Sequence, residues 1–561
     1  MERNNRLNKV VWPIGLPVFM GLLVISILFL AAATPQNIHA ASSGLPLTTF
    51  MSDDFAGSGQ CAMCHSLLRD RGGEDVSIDA HWRSTLMANS AKDPLWQAKV
   101  SSEIARHPQL QTVIEDKCAT CHMPMGRTQA LIKQLSIAIL EDGFLDSNHP
   151  FHEAAFDGVS CTLCHQIQAW NLGEMASFSG HYAIDSATVP PNRLIFGPYS
   201  NPIQNMMRNN VGFTPARGPQ VEDSALCGAC HTLYTPYVNA DGKVLGEFPE
   251  QTPYLEWKHS EYEKTKTCQQ CHMPEANGSV VISNRPRGRG LTARSPFNQH
   301  YFIGGNSTML TLLAEQNEEL GISASSKHLE TTLARTLEQL HSDTAQLAVI
   351  DTQIKADTLN IVLQVKNLVG HKFPTGFPSR RAWIHLRVKD ADGHIVFESG
   401  KPRDDGSITE NDADLNAGAF EPHYNRISKP EQVQIYEGIM RNSDGNVTYT
   451  LLRGAGYIKD NRLLPRGFEK ATSPDDIAIW GMATSDTNFQ GGTDQVLYEL
   501  DISGKSGPYV VAAELMYQTL SFPFIRDLLQ DHTEQEDRFA NYYADLDKKP
   551  VIVTGVNKTV P

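Results

Sequence analysis

Ten cysteines stand in five copies of one pattern: Cys61-Ala-Met-Cys64-His65, Cys118-Ala-Thr-Cys121-His122, Cys161-Thr-Leu-Cys164-His165, Cys227-Gly-Ala-Cys230-His231 and Cys268-Gln-Gln-Cys271-His272. Each C-x-x-C-H copy offers two thiols and an adjacent imidazole. That set can add across the two vinyl groups of a haem and hold its iron from one side. A cysteine pair alone would equally suit a zinc knuckle or a redox dithiol. Zinc sites would have to join the pairs in twos, leaving one over, and would not require a histidine after every second cysteine. All ten cysteines are used, so none remains for a disulfide or a catalytic thiol. The pattern predicts five covalently attached haem c groups, with His65, His122, His165, His231 and His272 as iron ligands.

The second axial position of each iron decides what a haem does. A protein ligand there suits electron transfer, and an open position can bind and transform a small molecule. Between residues 66 and 305 seven histidines lie outside the motifs: His81, His107, His149, His152, His181, His259 and His300. Every interval between motifs holds at least one, and His300 follows the fifth. His81, His149, His152, His181, His259 and His300 are therefore candidate second ligands, while His107, directly before Pro108, is the weakest. Met87, Met123, Met125 and Met206 would allow Met–His coordination instead. His371 stands apart in Gly370-His-Lys-Phe-Pro-Thr-Gly-Phe-Pro378, a loop stiffened by proline and glycine. It either caps an iron from the C-terminal half or is an ordinary loop histidine. Arg380 and Arg381 follow it and could meet haem propionates or solvent.

Around these residues the chain divides into stretches of different character. Arg3, Arg6 and Lys9 precede an apolar run at 10–33, with Ala40 and Ala41 behind it. This predicts a signal peptide or an N-terminal membrane anchor over 1–41, delivering the rest to the periplasm or cell surface. The run is longer than most cleaved segments, so cleavage and retention both fit. With 561 residues there is room for several domains at about 150 residues each. A net charge of −15 argues against a nucleic-acid partner, which would call for a basic surface.

The expected fold is α+β and multidomain. A loop-rich, mainly helical pentahaem domain covers 42–305, a helical connector 306–342, and an antiparallel β-sandwich-like domain 343–561. Residues 42–60 read as a tether. Helices are expected before Pro94 and after it, over 130–140, and from Pro253 to about 262 with His259 on its length. The basic run at 285–290 reads as a linker or a propionate contact. Leucines at 329, 333 and 337 predict a helix over 326–341, next to one over 309–319. Leu359, Ile361, Leu363 and Val365 mark one face of a strand, and Ala382, Ile384, Leu386 and Val388 one face of another. The second runs into an Asp392-Gly393 hairpin turn. Further strands are expected at 432–436, 447–452, 509–516 and 551–554.

These motifs resemble the multihaem cytochrome c superfamily, and in particular the group typified by the tetrahaem cytochrome of ammonia oxidation. The resemblance rests on Cys-x-x-Cys-His-Met-Pro at 118–124 and 268–274 and on Gly158-Val-Ser-Cys-Thr-Leu-Cys-His165. Gly370-His-Lys-Phe-Pro-Thr-Gly376 is similar to a loop of larger multihaem cytochromes with an added β domain. The resemblance implies closely packed haems, mostly with two histidine ligands. Ammonia-forming nitrite reductases also carry five haems, but here no motif replaces His with Lys, and the C-terminal half reads as β. Octahaem hydroxylamine oxidoreductases need more motifs than this chain has.

Three functions stay open. The first is an electron carrier between redox partner proteins, with the five irons as the conduit. The second is a multihaem reductase or dehydrogenase acting on a small nitrogen or sulfur compound at one open haem. The third is a homo-oligomer or cytochrome filament in which a neighbouring copy supplies a ligand.

Overall fold

The computed structural model describes residues 44–286 and 290–561. The segment 1–41, with its apolar run, lies outside the described residues, as do residues 287–289 of the basic run at 285–290. Among the described residues no helix is long and apolar enough to cross a membrane.

Up to Ser342 the chain folds mainly into short helices joined by irregular loops. Pro94–Arg106 shows why they start and stop where they do. Asp93 caps it by accepting from the N–H groups of Leu95 and Trp96, and Pro94 occupies the first turn, where it loses no hydrogen bond. His107-Pro108 then closes it. Two small β elements interrupt the helices: the parallel pair Leu194–Gly197 with Thr214–Arg217, and the hairpin Leu233–Val238 with Val244–Gln251.

The C-terminal half is a sandwich. One sheet runs Gly456–Asp460, Ile435–Arg441, Arg381–Lys389, Tyr509–Gln518 and Val551–Val560, with Ile395–Ser399 paired to Arg381–Lys389. The other runs Ala345–Lys355, Thr358–Asn367, Thr493–Asp501 and Arg426–Ile427. All pairings are antiparallel except that of Arg426–Ile427 with Thr493–Asp501. The two predicted faces meet in the middle. Leu359, Ile361, Leu363, Val365, Ala382, Ile384, Leu386 and Val388 are all 0% exposed and share one core. Burying each larger aliphatic side chain contributes roughly 1.5–3 kcal/mol, and the period-two alternation fixes the register that buries them.

The two halves form one compact unit over 42–561. Leu95 and Ala98 of the helix Pro94–Arg106 pack with Phe524, Leu528, Phe539 and Tyr543 from two helices, Phe522–Leu528 and Glu534–Asp545, that lie between the strands Tyr509–Gln518 and Val551–Val560. Arg106 pairs with Asp527 at 2.7 Å and Asp531 at 2.6 Å across the same seam.

Several local expectations are corrected. Residues 44–57 are no tether: Phe55 and Ala56 are fully buried, and the N–H groups of Gly57 and Gly59 donate to Phe50 and Thr48. The helix expected at 130–140 is Pro124–Ile132. Beyond it, the N–H groups of Ile139 and Leu140 donate to the Glu115 carboxylate instead of continuing a helical ladder. The strand expected at 447–452 is a loop with a short 3-10 turn, because the N–H groups of Leu451 and Leu452 are taken by Glu103. In Ser326–Ser342 the buried face is Leu329, Thr332, Thr336 and Leu340, so Leu333 and Leu337 sit at its margin.

Candidate haem sites

Each motif is held on or at the end of a short helix: Ser58–His65, Gln111–His122, Cys161–Cys164, Ser224–Gly228 and Cys268–His272. Helical spacing puts the two cysteines of a motif on one face. Asp223 caps the fourth helix, and a reciprocal Thr267–Gln270 capping box starts the fifth. Thiols of different motifs are neighbours. Cys61 lies against Cys161, Cys121 against Cys230, and Cys227 against Cys268. Cys164 is near enough to Cys227 and Cys230 for their charges to interact. The fourth motif therefore adjoins the second, third and fifth, and the first adjoins the third.

Four of the five motif histidines are oriented from behind. Nδ1–H of His65 donates to the Ile282 carbonyl at 2.6 Å, that of His122 to Ser90 at 3.1 Å, and that of His165 to Phe196 at 2.5 Å. His272 does the same to Ile303. A carbonyl can only accept, so each ring carries its proton on Nδ1 and keeps the Nε2 lone pair for a metal. His122 is also stacked on Trp96, rings 4.6 Å apart and 3° from parallel. Burial keeps these imidazoles neutral, the form that binds iron, and holds His122 and His231 down at about 4.

Two motif histidines face a second histidine. His165 and His300 have ring centroids 6.3 Å apart at 27°, and His272 and His371 have centroids 6.3 Å apart at 14°. An iron bound by two Nε2 atoms at about 2 Å each, with about 1.1 Å from nitrogen to ring centre, separates the centroids by roughly 6.2 Å. Both observed separations match that value, and the Lys372 carbonyl engages Nδ1 of His371, leaving its Nε2 free. His371 reaches this position from the loop of the sandwich, between the strands Thr358–Asn367 and Arg381–Lys389.

One cavity of about 1360 Å³ connects the sites, and all fifteen motif residues line it together with His300 and His371. Most of its remaining wall is apolar, including Trp82, Leu86, Trp96, Leu163, Phe302, Leu310 and Phe377. Buried Lys99, Glu103 and Glu250 form a polar stretch of wall, and both glutamates act electrostatically on Cys118. Paired thiols, a neutral imidazole with Nε2 free and an apolar recess fit c-type haem.

The other candidate histidines are placed differently, and none lines this cavity. Nδ1–H of His152 donates to Phe144 and that of His259 to Leu255, both at 2.9 Å, leaving Nε2 free as in the motif residues. Nδ1 of His149 instead accepts from the Phe151 N–H, so its neutral ring carries the proton on Nε2, the wrong tautomer for ligation through that atom. His181 is exposed. His81 is buried edge-on against Tyr301 with Nδ1 lacking a partner, and burial lowers it to about 3. His107 is buried at the end of its helix. Met87 and Met206 line the cavity, whereas Met123 and Met125 belong to apolar clusters. Arg380 lines the cavity, but Arg381 is not a propionate partner: it is buried in a fork on Asp414, at 2.6 and 3.1 Å. The carbonyls behind the motif histidines carry no signal in the sequence, since any residue type supplies one. Trp96, stacked on His122, was equally silent.

No family model matches the chain, and no curated protein matches it. Among solved structures it is similar to a penta-heme cytochrome c552 from Thermochromatium tepidum, at 15% identity and a TM-score of 0.46, over 86% of this chain and 96% of that one. A likeness at that level assigns neither fold nor function.

Proposed function

We propose that the chain is an exported c-type cytochrome with five haems that carries electrons between redox partner proteins. The observation that carries this reading is the pair of facing histidines, His165 with His300 and His272 with His371, each spaced for one iron between them. Haem supplies a one-electron ferric–ferrous couple when bound. The chain's own residues hold four of the five proximal imidazoles through a backbone carbonyl, exclude water with apolar walls, and bring neighbouring attachment sites into contact. Cys271 and Met63 are exposed, which supports entry and exit of electrons at the fifth and first motifs. Export to the periplasm or cell surface rests on the basic residues and apolar run at the N-terminus.

A second reading, a reductase of a small nitrogen compound, draws on the buried Lys99, Glu103 and Glu250 in the cavity wall. Electron paramagnetic resonance of the oxidised holoprotein separates the two. A carrier gives low-spin signals that nitrite and hydroxylamine leave unchanged. A high-spin signal that shifts on adding either compound overturns the carrier in favour of the reductase.

A further inference from the structure

The loop that carries His371 is gripped from both halves of the molecule. From the sandwich, Asn367 Nδ2 donates to the His371 carbonyl at 2.8 Å and to that of Leu463 at 2.9 Å. Lys372 Nζ donates to Asp460 at 2.7 Å, and Asp460 is held by the fork of Arg462 at 2.9 and 2.7 Å. From the motif half, the helix Pro253–Lys258 presents Glu256, which is 0% exposed. Its Oε2 accepts from the Lys372 N–H at 3.1 Å and from the Thr375 hydroxyl at 2.5 Å. Its Oε1 stands 2.9 Å from Arg462 Nη1, an ion pair lying off the hydrogen-bond axis. Nearby, Tyr262 donates to the Leu368 carbonyl at 2.6 Å, and Gly370 sits so close to Trp257 and Tyr262 that a Cβ there would be 3.2 and 3.3 Å from them.

Lys372 and Arg462 thus balance Asp460 and Glu256 in one buried network, and the residue next to His371 is a member of it. Glu256 is the member contributed by the motif half, and it binds the loop on the C-terminal side of His371. A buried carboxylate with defined partners holds its geometry because leaving any of those partners unpaired is costly.

We propose that Glu256 is the positioning residue that sets the approach of His371 to the iron held by His272, so that the seating of the β-sandwich on the motif half controls the coordination of the fifth haem. This rests on the reading that His272 and His371 share an iron. Glu256 hydrogen-bonds neither imidazole; it holds the loop through the Lys372 N–H and the Thr375 hydroxyl, and its charge also acts on His371, a contribution that Thr375→Val leaves in place.

The test uses the full-length holoprotein and compares Glu256→Gln, Glu256→Asp, Thr375→Val and His371→Ala by low-temperature electron paramagnetic resonance and redox titration. His371→Ala should convert one low-spin haem to high spin. Glu256→Gln should shift the g-values and midpoint potential of that same haem alone. Thr375→Val, which deletes only one hydroxyl and is the milder change, should produce a smaller shift of the same haem, and Glu256→Asp should restore part of the native signal. If His371→Ala leaves every low-spin signal intact, the shared-iron reading fails. If His371→Ala acts as expected while Glu256→Gln and Thr375→Val leave g-values and potential unmoved, the positioning role is overturned and the shared iron stands.

Discussion

His272 and His371 present nearly parallel imidazoles, 14° apart with centroids separated by 6.3 Å, although one belongs to a motif helix and the other to a loop between sandwich strands. The same separation recurs between His165 and His300, which both lie in the motif half. Replacing His300 or His371 by Ala should each turn one low-spin haem into a high-spin one without changing the haem content. The double variant should lose two low-spin signals, because the sites are distinct. A single change that alters both signals would contradict independent pairs.

The fourth motif adjoins three others, which makes it a junction. Replacing Cys227 and Cys230 by Ser should lower the intact mass by one haem. Reduction by a one-electron donor, followed in a stopped-flow spectrometer, should then split into a fast and a slow phase, as the second motif loses its neighbour. Single-phase reduction at the native rate would argue against transfer through this motif.

Asp494 lies in the sandwich with Tyr436 donating to it at 2.7 Å, and burial raises it to about 6. A raised carboxyl favours the protonated form in the fold. Its contribution is complete below the unfolded value near 4 and is lost as pH climbs through 6. Asp494→Asn, which mimics the protonated state, should stabilise the protein at pH 7–8 by on the order of 2–3 kcal/mol and have little effect below pH 4. Urea midpoints measured across that range give the comparison. Nearby His423 is no free ligand: its Nδ1 accepts from Gln434 and Asn461, and its Nε2–H donates to Asp486 at 3.1 Å.

Arg381 and Asp414 are both 1% exposed and joined at 2.6 Å. Asp414→Ala leaves a buried guanidinium without its counter-charge, and loss of one partner of such a pair costs about 3–5 kcal/mol. A fall in the denaturation midpoint with unchanged haem spectra is expected. A spectral change at a single haem would reopen a propionate role for Arg381.

Local pattern made much of this architecture legible. The motifs announced their chemistry, and the alternation at 359–365 and 382–388 located both faces of the sandwich core, since period two has one burying register. What escaped depended on partners distant in sequence. Glu103 consumes the N–H groups that would have made 447–452 a strand, and Glu115 does the same beyond Ile132. The hairpin at Leu233–Val238 escaped despite its Asp241-Gly242 turn, because Pro236 and Pro249 interrupt its two strands and proline demotes a run as a strand signal. Among the candidate second ligands, sequence gave the number of histidines but not their tautomers, and a backbone N–H at Phe151 is enough to turn His149 the other way.

The loop bearing His371 also fixes an order of events. Its strand Arg381–Lys389 pairs with Tyr509–Gln518, which in turn pairs with Val551–Val560, the last strand of the chain. On the proposed shared iron, a haem attached at Cys268 and Cys271 would gain its second imidazole only after the strand Val551–Val560 has been made and packed against Tyr509–Gln518. If His272 and His371 share an iron as proposed, deleting the strand Val551–Val560 would leave the haem attached and show itself in the spin state of that one iron.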